Sequence, residues 1–221
     1  SGVDKEKPAS MSEKPVAYYE NIRNDLIPLI PNDARCILEV GCGTGKTGLA
    51  LKKINGAFVA GIEMNPAAAK QAKNILDDVI HGDIETIDLP YSDGSFDCII
   101  FADVLEHLVD PLSTLVKVRR LLKAGGTVVT SIPNVQFHAV IHQLIEGNWT
   151  YEKEGILDET HLRFFTYKEI LKMFTRAGYT IHEIGEVMDP QYEKFSLNNA
   201  TALNFGRTQI SDLSPEEIKK F

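Results

Sequence analysis

Short apolar runs alternate with amphipathic stretches along most of the chain, and each run stops at a glycine, an acid or a turn pair. The runs over 36–40, 57–63, 79–81, 96–101 and 127–132 read as buried strands, and 179–184 as a sixth. Between them, amphipathic spacing predicts helices from about Tyr18 to Leu29, from Lys46 to Ile54 and from Asn65-Pro66 onward. Another starts at Asp110-Pro111 and ends near Gly125-Gly126. An asparagine or aspartate followed by proline is a cap with a first-turn proline. Val135 to Glu146 has helical spacing, and Thr166-Tyr-Lys-Glu169 reads as a capping box opening a helix that Gly178 stops. Strands alternating with helices at this spacing mean a parallel sheet covered on both faces.

Outside that rhythm lie three stretches. Residues 1–15 are polar and are excluded from the fold, as a disordered extension or a cloning remnant. Residues 134–165 interrupt the alternation and read as an acceptor or lid insertion, with the single tryptophan at Trp149. Residues 189–221 carry a helix start at Ser214-Pro215 and a short apolar run, Ala200 to Phe205, which is the alternative source of a last strand. The sequence gives no confident seventh strand, so six strands are expected in the main sheet. The last edge then needs protection by the tail, by a second copy, or by a partner or fused domain.

Composition narrows the chemistry. A net charge of −8 argues against a nucleic-acid partner, which needs a concentrated positive surface. The basic run Lys117 to Lys123 alternates with apolar residues and reads as a solvated helix face. No apolar stretch approaches the roughly 20 residues that span a bilayer. Three dispersed cysteines, Cys36, Cys42 and Cys98, form neither a disulfide framework nor a zinc ribbon. They suit the cytoplasm.

The chemistry sits at the carboxyl ends of the strands, where open α/β sheets bind ligands. The loop after the first strand is Gly41-Cys-Gly43-Thr-Gly45-Lys-Thr47. A phosphate-binding loop needs glycine at position 40, which is Val40. A dinucleotide fingerprint needs glycine at position 46, which is Lys46 and disfavours an NAD(P) oxidoreductase. What stands is an acid before G-x-G-x-G: Glu39-Val-Gly41-Cys42-Gly43-Thr-Gly45. Glycines admit close approach of a ligand to the backbone, and Glu39 offers negative charge to an ammonium.

With Glu63 ending the second strand, Gly82-Asp83-Ile84 after the third and Phe96-Asp97 opening the fourth, the chain resembles class I S-adenosylmethionine-dependent methyltransferases from about Tyr18 to Val187. The resemblance implies a Rossmann-like doubly wound α/β sheet of six to seven mostly parallel strands with helices on both faces. It implies S-adenosyl-L-methionine as cofactor and S-adenosyl-L-homocysteine as product. Glu63 would accept the ribose hydroxyls and Asp83 the adenine amino group. Tyr19 would close over the cofactor, and Met64, Ile84 and Ala102 would line its pocket. Each also has a plain reading: Glu63 as a helix-leading acid, Asp83 as a turn residue, Tyr18-Tyr19 as helix packing.

For the acceptor, His107 in Asp103-Val-Leu-Glu106-His107 is the candidate base for O-methylation by in-line transfer. The same Asp103, Glu106 and His107 resemble the cluster with which some ubiquinone-pathway O-methyltransferases hold a divalent cation. The segment Asp158 to Thr166 resembles one in methyltransferases of sugar and cell-envelope polysaccharide synthesis. There His161 is the second catalytic candidate and Arg163 an acceptor contact. His138 and His142 share a helix face and read as lid residues toward a small-molecule acceptor. The rival class is a catalytically silent domain that binds the cofactor, or a subunit that activates a partner.

Overall fold

The computed structural model describes residue 14, residues 16–185 and two short segments, 203–205 and 208–210. The chain divides into two compact units, Ser1–Ile132 and Pro133–Phe221.

The first unit is built on five strands: β1 (Cys36–Val40), β2 (Phe58–Glu63), β3 (Asp78–His81), β4 (Phe96–Ala102) and β5 (Leu122–Ser131). All pair in parallel, in the order β3-β2-β1-β4-β5. Ile37, Leu38, Ile99, Ile100 and Phe101 are fully buried, as continuous apolar runs require in a sheet covered on both faces. The helices between the strands are α1 (Lys46–Asn55), α2 (Pro66–Ala72) and α3 (Pro111–Arg119). Right-handed crossovers put α1 and α2 on one face and α3 on the other. The Asn65 side chain accepts the N–H groups of Ala67 and Ala68, and Asp110 accepts that of Ser113 at 3.0 Å. Both caps stand where the Asn-Pro and Asp-Pro pairs predict them.

Two expectations in this unit are corrected. Residues 18–29 form no continuous helix; there are 3-10 turns at Val16–Glu20 and Ile27–Leu29. The backbone between them bonds sideways, the Arg23 N–H donating to Thr47 Oγ1 at 3.2 Å instead of along a helix. Likewise α3 ends at Arg119, and Leu122 to Gly126 belong to β5. The ladder slips between the Phe96–Leu122 and Cys98–Thr127 pairs, and this bulge absorbs the glycine pair.

The second unit holds α4 (His138–Ile145) and α5 (Tyr167–Arg176). Thr166 is the N-cap of α5, but its side chain makes no capping bond. The Tyr167 N–H instead donates to Gln136 Oε1 at 3.1 Å, so a tertiary acceptor replaces the predicted box. Residues 179–185 form no strand, against the sequence expectation. Ile181 and Ile184 remain 37% and 51% exposed, so the apolar residues of this stretch lack the cover a strand needs. Among the described residues the main sheet therefore has five strands, not six or seven. Leu203–Phe205 (β6) pairs antiparallel with Thr208–Ile210 (β7) in a separate two-stranded sheet. Neither pairs with residues 179–185, while 186–202, the expected helix after Ser214 and the opening residues 1–13 lie outside the described residues.

Candidate active site

The sheet order reverses between β1 and β4, so the loops after these two strands face one crevice. The loop after β1 is held in a shape that only glycine adopts without strain. Gly41 has φ +72°, and a Cβ there would lie 2.6 Å from Val104 Cγ2. Gly43 has φ +53°, and its Cβ would meet the Tyr19 carbonyl oxygen at 2.6 Å. That carbonyl accepts both the N–H and the hydroxyl of Thr44, each at 3.0 Å. The segment around Tyr19 is thus strapped across the glycine loop. Lys46, which stands where a dinucleotide fingerprint needs glycine, pairs with Glu20 at 3.2 Å.

Beneath and beside the loop sit two carboxylates. Glu63, at the end of β2, accepts the N–H of Gly43 at 2.8 Å and that of Asn65 at 2.7 Å. Burial raises its pKa, and those N–H donors oppose the rise. Glu39 lies under the loop with its Oε2 buried and making no hydrogen bond. Burial pushes its pKa up to about 8, although the Gly48 N–H favours the ionised form. Glu39 thus lies beneath the loop and does not line its surface. Cys42 is buried and its thiol is pushed up, again by burial, so it is a packing residue of the loop and not a nucleophile.

The remaining cofactor candidates follow in order along the carboxyl edge. Gly82 donates to the Glu63 carbonyl at 2.9 Å, and a Cβ there would meet Ile87 Cγ2 at 2.5 Å. Asp83 Oδ1 accepts the Glu85 N–H at 3.0 Å, so part of this side chain serves the turn. Ile84 is buried, and Ala102 closes β4. The Met64 carbonyl meets His81 Nε2 at 3.1 Å. The Tyr19 hydroxyl oxygen accepts from Asn65 Nδ2 at 3.4 Å.

After β4, Asp103 takes φ +53°, the left-handed region that non-glycine residues rarely occupy. Its N–H bonds to Ser131, its Oδ1 accepts the Ser131 hydroxyl at 2.6 Å, and its Oδ2 takes Arg23 at 2.5 Å. Arg23 also forks onto Asp25. No periodicity singles out Arg23; its partner is 80 residues away in sequence. Glu106 and His107 follow on the 3-10 turn Leu105–His107, both buried, with a carboxylate oxygen and a ring nitrogen within 4.8 Å. Of the three predicted metal ligands in this loop, these two lie together, while the Asp103 carboxylate is committed to Arg23 and Ser131.

In the second unit, His161 is buried and its Nδ1 faces the Ile156 carbonyl at 3.0 Å. A carbonyl can only accept, so Nδ1 is the donor in that contact. Arg163 is exposed and donates to the Leu162 carbonyl. On α4, His138 stacks on Phe137 at 4.6 Å and burial lowers its pKa; His142 lies 3.5 Å from Glu146.

Residues 16–184 match the family described as a methyltransferase domain. A ubiquinone biosynthesis O-methyltransferase of Aromatoleum aromaticum is 26% identical over 176 residues, covering 76% of this chain and 74% of the relative. One from Coxiella burnetii is 26% identical over 174 residues, with the same coverage. Among solved structures, a SAM-dependent methyltransferase from Aquifex aeolicus superposes with a TM-score of 0.57 at 18% identity, covering 79% of this chain and 88% of that one. One from Thermotoga maritima gives 0.55 at 23% identity, covering 71% and 69%. Two buried, pKa-raised carboxylates around a glycine cradle suit a ligand that carries positive charge and lacks phosphates, and S-adenosylmethionine is such a ligand. The chain belongs to the methyltransferase-domain family and is an S-adenosylmethionine-dependent methyltransferase.

Proposed function

We propose that the enzyme O-methylates a hydroxylated small-molecule or sugar-type acceptor, with His107 taking the hydroxyl proton. The observation that carries this reading is the buried Glu106–His107 pair on the turn after β4, the strand beside the glycine loop's own. The O-methyltransferase names of the relatives support oxygen as the acceptor atom. S-adenosylmethionine supplies an electrophilic methyl group when bound. The rest falls to the chain: the Gly41–Gly45 loop and Glu63 hold the methionine and ribose ends, and Gly82 to Ile84 flank the base. His107 removes the acceptor proton, and the adjacent Glu106 stabilises the imidazolium that forms. Three free thiols fit action in the cytoplasm, and no helix among the described residues is long and apolar enough to cross a membrane. A homocysteine-release assay over neutral glycosides, phenols and quinol precursors tests the class. Methyl transfer to nitrogen or carbon acceptors alone would refute it.

Two binding predictions follow. Glu63→Ala is expected to weaken S-adenosylhomocysteine binding at least about tenfold, by titration calorimetry. It removes two charge-assisted hydrogen bonds to ribose, each worth roughly 1.5–3 kcal/mol, and also the anchor of Gly43. Unchanged affinity would remove Glu63 from the nucleoside site.

The second concerns protons. With the Glu39 pKa moved from 4.5 to about 8, the ligand-free fold keeps a proton that the unfolded chain has lost. That stabilisation is full below pH 4.5 and declines as pH rises toward about 8. A cationic ligand favours the carboxylate, so binding should release a proton and tighten across the same window. Calorimetry in two buffers of unlike ionisation heat measures the release, and Glu39→Gln should abolish it. Equal apparent heats for the unaltered protein would show that Glu39 does not respond to the ligand.

A further inference from the structure

Arg23 joins two segments of the first unit that flank the glycine loop. Its backbone N–H donates to Thr47 Oγ1 at 3.2 Å, and the Thr47 hydroxyl donates to the Asn21 carbonyl at 3.5 Å. Thr47 is buried in the first turn of α1, directly after that loop. Together with the Thr44 bonds to the Tyr19 carbonyl, these contacts lay residues 19–23 along the loop as a strap. The Arg23 side chain runs the other way. Its Nη1 reaches the Asp103 carboxylate at 2.5 Å, one residue past β4. The strand order reverses between β1 and β4, so Arg23 bridges the two sides of the crevice.

Each end of the bridge is held in place. Asp25 takes the Arg23 Nε and Nη2 donors at 3.0 and 2.6 Å, which fixes the guanidinium plane and leaves Nη1 for Asp103. Across the crevice, Asp103 sits at φ +53°, and the Ser131 hydroxyl at the end of β5 holds its other oxygen at 2.6 Å. The next residue, Val104, packs on Gly41, whose added Cβ would lie 2.6 Å from Val104 Cγ2. The strap packs on Gly43 in the same way, through the Tyr19 carbonyl oxygen at 2.6 Å. Residues 19–23 and 103–104 therefore close on the glycine loop from two directions, and the Arg23–Asp103 pair joins them. Beyond it, Leu26 is buried in the core and gives the strap a fixed end.

We propose that Arg23 is a positioning residue for cofactor exchange: its pair with Asp103 clasps the strap onto the glycine loop and opens whenever S-adenosylmethionine enters or S-adenosylhomocysteine leaves. The two side chains are 19% and 46% exposed, so salt reaches the pair and weakens it. A partly exposed pair is a modest bond, which suits a contact that breaks in every turnover. The guanidinium acts on the strap and not on the cofactor. It therefore sets the rates of entry and exit together and leaves affinity nearly unchanged. The clasp rests on the reading that the glycine loop holds the cofactor, and it is independent of the acceptor.

The full chain is loaded with tritiated S-adenosylhomocysteine and mixed rapidly with excess unlabelled ligand to give koff, while calorimetry gives Kd and hence kon. Arg23→Gln removes the charge; Asp103→Asn does the same but keeps an acceptor for Ser131 and tolerates a positive φ. Each is expected to raise koff about threefold to tenfold, with kon raised in step and Kd held within about twofold. The double variant should be no faster than either single one, because both remove the same pair. Added salt should speed release from the unaltered protein toward the variants' rate and leave theirs nearly unchanged. Unchanged koff in both variants, additive effects in the double variant, or a faster koff matched by lost affinity at constant kon would each overturn the clasp. The last result would make Arg23 a cofactor contact instead. Affinity retained by Gly43→Val in the same assay would overturn the glycine-loop reading and the clasp with it. Affinity lost there, with koff unchanged in Arg23→Gln, would overturn the clasp alone.

Discussion

Replacing Gly43 by valine is expected to abolish measurable S-adenosylhomocysteine binding. Two costs combine. The backbone at φ +53° is left-handed, which strains a β-branched residue by roughly 1–3 kcal/mol. The new Cβ would also lie 2.6 Å from the Tyr19 carbonyl oxygen and 3.3 Å from its carbon, both backbone atoms. Neither can rotate away, so the loop or the strap must move. Either movement breaks bonds that shape the cradle, namely the Gly43 N–H to Glu63 and the Thr44 donors to Tyr19. Each tenfold of affinity is about 1.4 kcal/mol, so a loss on the order of a hundredfold or more follows. Calorimetry measures it, with a melting curve to verify that the buried sheet persists. Affinity retained within about threefold would show that the ligand does not use this loop.

His107→Ala is expected to cut turnover on the order of a hundredfold or more while cofactor affinity stays within about twofold. The split is the informative part, because a base acts on the acceptor and not on the nucleoside. His107 is buried, so a melting curve must accompany the rates. Unchanged turnover would leave catalysis to positioning alone, or move the base assignment to His161. The same assay tests the cation reading of Asp103, Glu106 and His107. Activity lost in EDTA and restored by magnesium would establish a required ion. Asp103 is already bound to Arg23 and Ser131, so such an ion would rest on Glu106 and His107, and full activity in the chelator would show that none is required.

The strand-end landmarks were legible because they are local. Val40, Glu63, His81 and Phe101 end or nearly end their apolar runs, and the residues that follow must reach the carboxyl edge of a parallel sheet. The Asn65 and Asp110 caps were legible for the same reason, since each bonds within three residues. Residues 179–184 show the limit. Their β-branched residues suit a strand, yet a strand exists only where a neighbour supplies hydrogen bonds and covers its apolar side chains. Ile181 and Ile184 have no such cover.

The acidic glycine loop, the order of its companion acids and the absence of a phosphate-loop glycine at Val40 are properties of the sequence by itself. They determine the cofactor class, because spacing decides which backbone atoms can approach a ligand. Only the tertiary structure decided what those groups do to each other. Gly43 bonds to Glu63, 20 residues away, and Arg23 reaches Asp103 across 80. Thr166 loses its capping bond while Gln136 accepts the Tyr167 N–H from 31 residues away. Leu122 turns from helix tail to strand because Phe96 of β4 offers it a partner, and the slip before Thr127 takes up Lys123 to Gly126. Such pairings depend on where the chain returns in space, and no local pattern of apolar and polar positions encodes that return.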